Sequence, residues 1–147
     1  MRNLKYRAWD KITKQIFEVK QIDFAAIERN VYGFITYKSI LGGVYESLSF
    51  RSFDNAEIMQ YTRLKDKNGK EIYVGDILKS ESGAWLCEVR DSPSFAGVDF
   101  KIIKAPAGCE WQIGDNFLLS ELRINEAGYE VIGNIFENKE LLKWAIL

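Results

Sequence analysis

A chain of 147 residues with 47% hydrophobic and 28% charged side chains has the composition of a folded globular protein, with length for one domain or two small lobes. Its 20 basic and 21 acidic side chains give a net charge of −1, which excludes a strong overall field for nucleic acid or an anionic membrane. The chain has no histidine, which excludes Ser-His and Cys-His nucleophile pairs and imidazole metal sites.

The two cysteines indicate a reducing compartment. Cys87 and Cys109 are too few for a disulfide framework, so free thiols are expected. The N-terminus lacks the apolar segment of a signal peptide, and no stretch approaches the roughly 20 apolar residues of a membrane span. The sequence therefore predicts a cytoplasmic protein with no membrane contact and no cofactor.

The N-terminal part reads as a series of short strands. Apolar and polar residues alternate on both sides of DKITK, which predicts a hairpin over residues 5–20. The segment DFAAIERN, residues 23–30, has a capping Asp and predicts a short helix. VYGFITYKSILGGVYESLSF is rich in aromatic and branched residues and is broken by glycines, so it predicts further strands.

The central segment YTRLKDKNGKEIYVGDILK predicts two strands around a turn. Asn68 and Gly69 both tolerate the positive φ angles that tight turns require. A phosphate-binding loop would need more glycines and a Lys-Ser or Lys-Thr pair. A calcium loop would need an oxygen ligand where Lys70 stands and a bidentate Glu at its end. A turn is the interpretation that fits the residues.

The C-terminal half predicts a small barrel. GDILKS, AWLCEVRD, VDFKIIKA, the Trp111 region and GYEVIGNIFE are short strand-like segments, and KELLKWAIL predicts a terminal helix capped by Asn138. The fold class is therefore strand-rich α+β, with a small SH3-like, partly open β-barrel in the C-terminal half, an N-terminal β-hairpin region and short helices. The expected organisation is a single domain over 1–147, with sub-lobes 1–56 and 57–147.

Three segments carry a resemblance to a known family. KYRAWDK, MQYTRLKDKNGKEIYVGDIL and YEVIGNIFENKELL, in that order, resemble the YopX family of proteins encoded by bacteriophages and prophages. The family has no established activity, so the resemblance implies origin and fold. Arg63 stands where a Gly is common in the family, which predicts ordinary extended backbone at this position.

Carboxylates are the remaining candidates for catalysis, and they flank turns. Glu71, Asp76, Asp115 and Glu121 are interpreted as solvated strand ends. The repeated pairs Gly75-Asp76 and Gly114-Asp115 precede apolar segments, where the Asp side chain can accept hydrogen bonds from turn amides. The sequence therefore predicts a protein that is not an enzyme.

Two classes of function remain. The first is a phage or prophage accessory protein that binds a host or phage protein. The alternative is a nucleic-acid-binding module that uses a basic and aromatic face near the central turn, although interleaved acids cancel much of its charge and core packing is the expected role of the tryptophans. The residues of this candidate binding face are Tyr61, Lys65, Lys67, Lys70, Tyr73 and Lys79.

Self-association is a further expectation. GFITYKSI and AGVDFKIIKA carry branched and aromatic residues on both faces, more than one small core readily buries. A homodimer is the default assembly that would cover them. The alternative is that both segments and the terminal helix pack inside a single chain.

Overall fold

The structure is a computed structural model that describes residues 4–25, 29–92 and 97–146. Strands make up most of these residues. The strand-rich, antiparallel class expected from the sequence is confirmed. The chain divides into two compact units, residues 1–60 and 61–147. In the described ranges, every helix is too short or too polar to cross a bilayer.

The first unit is an antiparallel sheet. Its elements are β1 (Tyr6–Asp10), β2 (Gln15–Asp23), β3 (Asn30–Lys38), β4 (Val44–Ser52), a 3-10 helix (Phe53–Asn55) and the first part of β5 (Ala56–Lys65). The strand order is β4-β3-β2-β1-β5, so β4 is an edge strand. The pairing of β1 with β2 confirms the predicted hairpin. The predicted helix over 23–30 falls partly on residues 26–28, which lie outside the described residues.

The core of the first unit lies against one face of this sheet. Val31 and Ile35 alternate with exposed residues along β3, and both are fully buried. Gly33 lies between them, where an added Cβ would come within 2.5 Å of the Glu18 carbonyl oxygen and would overlap the Phe17 ring. The close approach of β2 therefore requires glycine at this position. The core cluster consists of Ala8, Phe17, Val31, Ile35 and Ala56.

A buried ion pair joins the ends of the strands in this unit. Asp10 is fully buried, and its Oδ1 lies 2.9 Å from Nε of Arg51. Oδ1 also accepts from the backbone N–H of Ile12 at 3.0 Å, and Oδ2 accepts from the Thr13 hydroxyl. Burial raises the pKa of Asp10, but the hydrogen bonds from these three residues outweigh burial and hold the pKa below 3.8. Arg51 also donates to the Tyr37 hydroxyl at 3.2 Å, which ties β4 to β3.

The second unit holds the other sheet. The last residues of β5 pair with β6 (Glu71–Tyr73), and then come β7 (Asp76–Lys79), β8 (Leu86–Asp91), β9 (Val98–Lys104), β10 (Asn116–Leu118), α1 (Glu121–Ala127), β11 (Glu130–Asn134) and a 3-10 helix (Lys139–Ile146). The order β10-β9-β8-β7-β11 is antiparallel throughout. The predicted strand at Trp111 is wrong, because the nearest strand begins at Asn116.

Both faces of the five-stranded sheet are buried. One face packs on α1 through a cluster that includes Leu78, Val89, Phe100 and Ile124. The opposite face carries Ile77, Leu86 and Ile103, and Leu141 and Leu142 of the terminal 3-10 helix pack against them. Within AGVDFKIIKA, Phe100, Ile102 and Ile103 therefore belong to the core. Asn138 accepts from the backbone N–H of Asn134 instead of capping this helix with its side chain.

The sheet of the second unit is open in its described pairings. Within residues 61–92 and 97–146, no ladder joins β10 to β11, so the strands do not close into a ring. The antiparallel strand-rich architecture is established. The SH3-like, partly open barrel stays a prediction.

Arg63 corrects one expectation. Its φ is 69°, in the left-handed region, so the prediction of ordinary extended backbone is wrong. The cause is an irregularity in the pairing of β5 with β6. Tyr61 lies opposite Tyr73 and Lys65 opposite Glu71, so β5 covers this distance with four residues where β6 uses two. Glycine is the residue that adopts this conformation without steric cost.

Candidate functional site

The predicted binding face surrounds the central turn of the second unit. Tyr61 and Tyr73 face each other across β5 and β6, with ring centroids 5.5 Å apart, and both are half-buried. The Tyr73 hydroxyl donates to Oε2 of Glu71 at 3.0 Å. The structure therefore brings the two predicted tyrosines together, and it places a carboxylate beside them.

The predicted lysines are near the same turn, but acidic groups accompany them. Lys65, Lys67 and Lys70 are exposed, and Lys65 lies opposite Glu71 in the ladder. Nζ of Lys79 lies 3.5 Å from one carboxylate oxygen of Glu130, whose other oxygen is 3.5 Å from the Asn68 side-chain amide. Opposite charges at this spacing cancel much of the potential that phosphate binding would require.

Asp66 organises the turn and leaves it no ligand role. Its Oδ1 accepts from the backbone N–H groups of Asn68 and Lys70, both at 2.9 Å, and its Oδ2 accepts from the N–H of Val131 at 2.9 Å. Gly69 has a φ of 81°, as the turn prediction requires. The amides that would cradle a phosphate thus point at the protein's own carboxylate. The segment is a turn that Asp66 fastens to β11.

The two Gly-Asp pairs share one geometry. Gly75 and Gly114 have φ angles of 96° and 97°. Asp76 accepts from the backbone N–H of Tyr73 at 2.8 Å, and Asp115 accepts from that of Gln112 at 2.8 Å, three residues back in each case. The predicted role of these carboxylates in satisfying turn amides is confirmed.

Cys87 is a buried thiol and not an activated nucleophile. Cys87 is buried, and burial raises the pKa of its thiol to about 12 despite the contact with the Tyr129 hydroxyl at 3.7 Å. Burial also raises the pKa of Tyr129. Cys109 is half-buried, and its Sγ donates to the carbonyl oxygen of Trp111 at 2.8 Å. Within residues 4–25, 29–92 and 97–146, no group of three or more Cys, Asp or Glu is placed to hold a metal ion.

An open aromatic groove of about 210 Å³ lies between α1 and the sheet in the second unit. The Trp111 ring meets the Phe117 ring edge-on at 4.6 Å, and Cζ of Arg123 lies 5.2 Å from the Phe117 ring centre. Phe100 and Tyr129 form its buried floor. Arg123 was not expected from the sequence, although Ser120 before α1 and Gly128 after it are an N-cap and a C-cap signal.

The most exposed apolar surface belongs to the hairpin of β3 and β4 in the first unit. Cross-strand pairing places Phe34 opposite Leu48 and Tyr32 opposite Phe50, and Val44 follows on the same face. Phe34, Leu48, Phe50 and Val44 are 49%, 59%, 59% and 68% exposed. We call these five side chains the hairpin face. Ile40 and Leu41, at the tip of the hairpin, are fully exposed.

These features define a strand-rich protein of two antiparallel sheets whose ionisable side chains maintain turns and ion pairs, and whose surface carries an apolar hairpin. The YopX protein family model matches residues 5–143. The chain belongs to the YopX family, so the resemblance found in the sequence is confirmed.

A solved structure supports the same fold. The crystal structure of protein EF1440 from Enterococcus faecalis is 26% identical in sequence and superposes with a TM-score of 0.61, covering 97% of this chain and 99% of that one. Among curated proteins, none matches this chain. Neither the family name nor the name of the Enterococcus protein states an activity.

Proposed function

We propose that the chain is a cytoplasmic accessory protein of a phage or prophage that acts as a non-catalytic protein-binding module. The observation that carries this proposal is the hairpin face. Its side chains lie on the outer face of a sheet whose other face carries the core cluster of this unit, so they are large apolar groups that the fold leaves in water. Exposed apolar patches of this kind mark sites of protein association.

The arrangement of the ionisable groups supports a non-catalytic role. Asp76 and Asp115 hold turn amides, Glu71 accepts from the Tyr73 hydroxyl, and Cys87 is a buried thiol. Three of the four candidate carboxylates are thereby engaged in structural hydrogen bonds. A general base or nucleophile instead needs a free, positioned atom with a pKa near the working pH.

A matched pair of substitutions tests the binding proposal. Leu48 and Leu122 are exposed leucines, 59% and 66%, on β4 and α1 respectively. Wild-type chain, Leu48→Glu and Leu122→Glu are each immobilised and exposed to lysate of phage-infected host cells. Proteins that bind the wild type and Leu122→Glu, and are lost with Leu48→Glu, are expected. Equal capture by all three variants would overturn the hairpin face as the binding surface.

The alternative function is nucleic-acid binding by the turn of the second unit. It is favoured by the adjacent rings of Tyr61 and Tyr73 and by the exposed lysines Lys67 and Lys70, since stacking rings and basic groups are what single strands require. Titration with single- and double-stranded DNA at two salt concentrations tests it. This alternative requires an affinity that falls steeply with salt and is lost in Lys67→Glu/Lys70→Glu, whereas the protein-binding proposal requires no salt-sensitive DNA binding.

We also propose that the second unit is the small, SH3-like, partly open barrel predicted from the sequence. Its support is the run of short antiparallel strands with Gly-Asp turns and a terminal 3-10 helix packed on one face. An experimental structure of the full chain tests this through the curvature of the sheet and the hydrogen bonds of its outer strands. A flat sheet with both outer strands unpaired would contradict it.

A further inference from the structure

The strand pairing of the β3–β4 hairpin gives it a core-facing side and an outward side. Val31, Gly33 and Ile35 face the core and are buried, whereas Tyr32 and Phe34, which alternate with them, are half-buried and exposed. On β4, Leu48 and Phe50 point outward with the same period of two. An antiparallel sheet with one solvated face normally carries polar residues there. The hairpin face is therefore an apolar surface that the first unit does not itself cover.

The size of this surface indicates what covers it. Large aromatic side chains bury about 150–250 Å² each, and aliphatic side chains somewhat less. Phe34, Phe50, Leu48 and Val44 are about half to two-thirds exposed and the tip residues Ile40 and Leu41 fully exposed, so together they present on the order of 700 Å² of apolar area. The largest patch on a typical monomer is about 300–600 Å². A standard stable interface buries about 800 Å² per partner. The hairpin face and tip thus supply the area of one side of such an interface.

The charges on this face are compatible with self-association. Lys38 and Glu46 are the charged residues on the outward side of the two strands, and both are exposed. One positive and one negative group leave the face neutral, so two copies meet without net repulsion. A closed twofold assembly needs only one such self-complementary surface per chain.

We propose that the occupant of the hairpin face is a second copy of this chain, packed face to face to form a homodimer. The inference rests on the proposed function, because it names the partner of the same surface. Face-to-face packing covers Phe34 on the inner strand β3 as well as Leu48 and Phe50 on the edge strand β4. Pairing through the β4 edge alone would leave Phe34 in solvent.

Light scattering with size-exclusion chromatography over a micromolar concentration series tests the proposal. The wild-type chain is expected at twice 17.0 kDa. Leu48→Glu and Phe34→Ser are each expected to weaken the dimer at least about tenfold, the effect of losing a central interface side chain, and Leu122→Glu to leave it unchanged. Circular dichroism and thermal unfolding verify that each variant is folded, which is expected because Phe34 and Leu48 are 49% and 59% exposed.

Each other outcome is decisive. A wild-type mass of 17.0 kDa that persists on concentration would overturn the homodimer. A dimer that resists Phe34→Ser would overturn face-to-face packing. If the wild type is monomeric while Leu48→Glu still loses captured proteins, this inference fails and the proposed function stands. If the wild type is monomeric and capture is unchanged by Leu48→Glu, both fail.

Discussion

Replacement of Asp66 by alanine tests the structural account of the central turn. The carboxylate of Asp66 is almost fully buried and accepts three backbone N–H groups at 2.9 Å, two from its own turn and one from Val131 on β11. The turn amides of Asn68 and Lys70 belong to exposed residues, so water can replace the carboxylate there. Val131 is half-buried, so water replaces its bond less completely.

The magnitude follows from these differences. A net hydrogen bond contributes about 0.5–1.5 kcal/mol, one to a charged group about 1.5–3 kcal/mol, and an unsatisfied buried donor costs about 1–3 kcal/mol. Water largely replaces the bonds from Asn68 and Lys70 but not the bond from Val131, so we expect the free energy of unfolding to fall by about 3 kcal/mol. Urea denaturation followed by tryptophan fluorescence measures it.

Asp115→Ala is the matched control. Asp115 is exposed and accepts one turn amide, that of Gln112, so its loss should cost about 1 kcal/mol or less. Asp66→Asn should fall between, because an amide offers one acceptor oxygen where the carboxylate uses two. If Asp66→Ala and Asp115→Ala cost the same within about 0.5 kcal/mol, the link from the turn to β11 does not contribute as described, and the reasoning is refuted.

Three further predictions concern strain, packing and pH, each measured by urea denaturation. Arg63→Gly should stabilise the chain by about 0.5–1 kcal/mol, because a non-glycine residue at positive φ costs about 1–2 kcal/mol and glycine loses about 0.5–1 kcal/mol of entropy; a destabilised variant would contradict this. Gly33→Ala should destabilise by about 1–3 kcal/mol, because the new methyl group meets the Glu18 carbonyl oxygen, and an unchanged midpoint would contradict the packing. The pKa of Asp10 is lowered in the fold, so its pairing with Arg51 stabilises the protein above about pH 4, and this stabilisation is lost as the pH falls through the folded pKa. Asp10→Asn should be less stable at neutral pH, and its stability should not show this decrease in acid. An equal decrease in both proteins would exclude Asp10 as the source.

Local signals predicted the turns because the residues that form them leave few alternatives. Asn68-Gly69 predicted a reversal, and Gly69 has the positive φ that the reversal requires. The Gly-Asp pairs predicted side-chain acceptance of turn amides, which Asp76 and Asp115 provide. These features depend on a few neighbouring residues, so they can be predicted from a short stretch of sequence.

Features that depend on the partner strand were harder to predict. Arg63 adopts its left-handed φ because the pairing of β5 with β6 contains extra residues on β5, and the residues next to Arg63 in the sequence give no signal of them. Helix α1 is seven residues long, too short for apolar periodicity to show, although Ser120 and Gly128 cap it. The charge of the predicted binding face was also harder to predict, because Glu130, the acidic partner of Lys79, is distant in sequence.

The separation of the two apolar strand segments shows what pattern alone leaves open. GFITYKSI and AGVDFKIIKA both carry apolar residues on both faces, and composition gives them the same prospects of burial. Phe100, Ile102 and Ile103 on β9 are buried, because β9 is an inner strand with a helix packed on each side of its sheet. Phe34 on β3 is exposed, because the elements of the first unit pack on one face of that hairpin only. Burial is thus decided by the number of layers around a strand. β3 carries apolar residues on both faces, but its sheet is covered on one face only, so a second chain can cover the other.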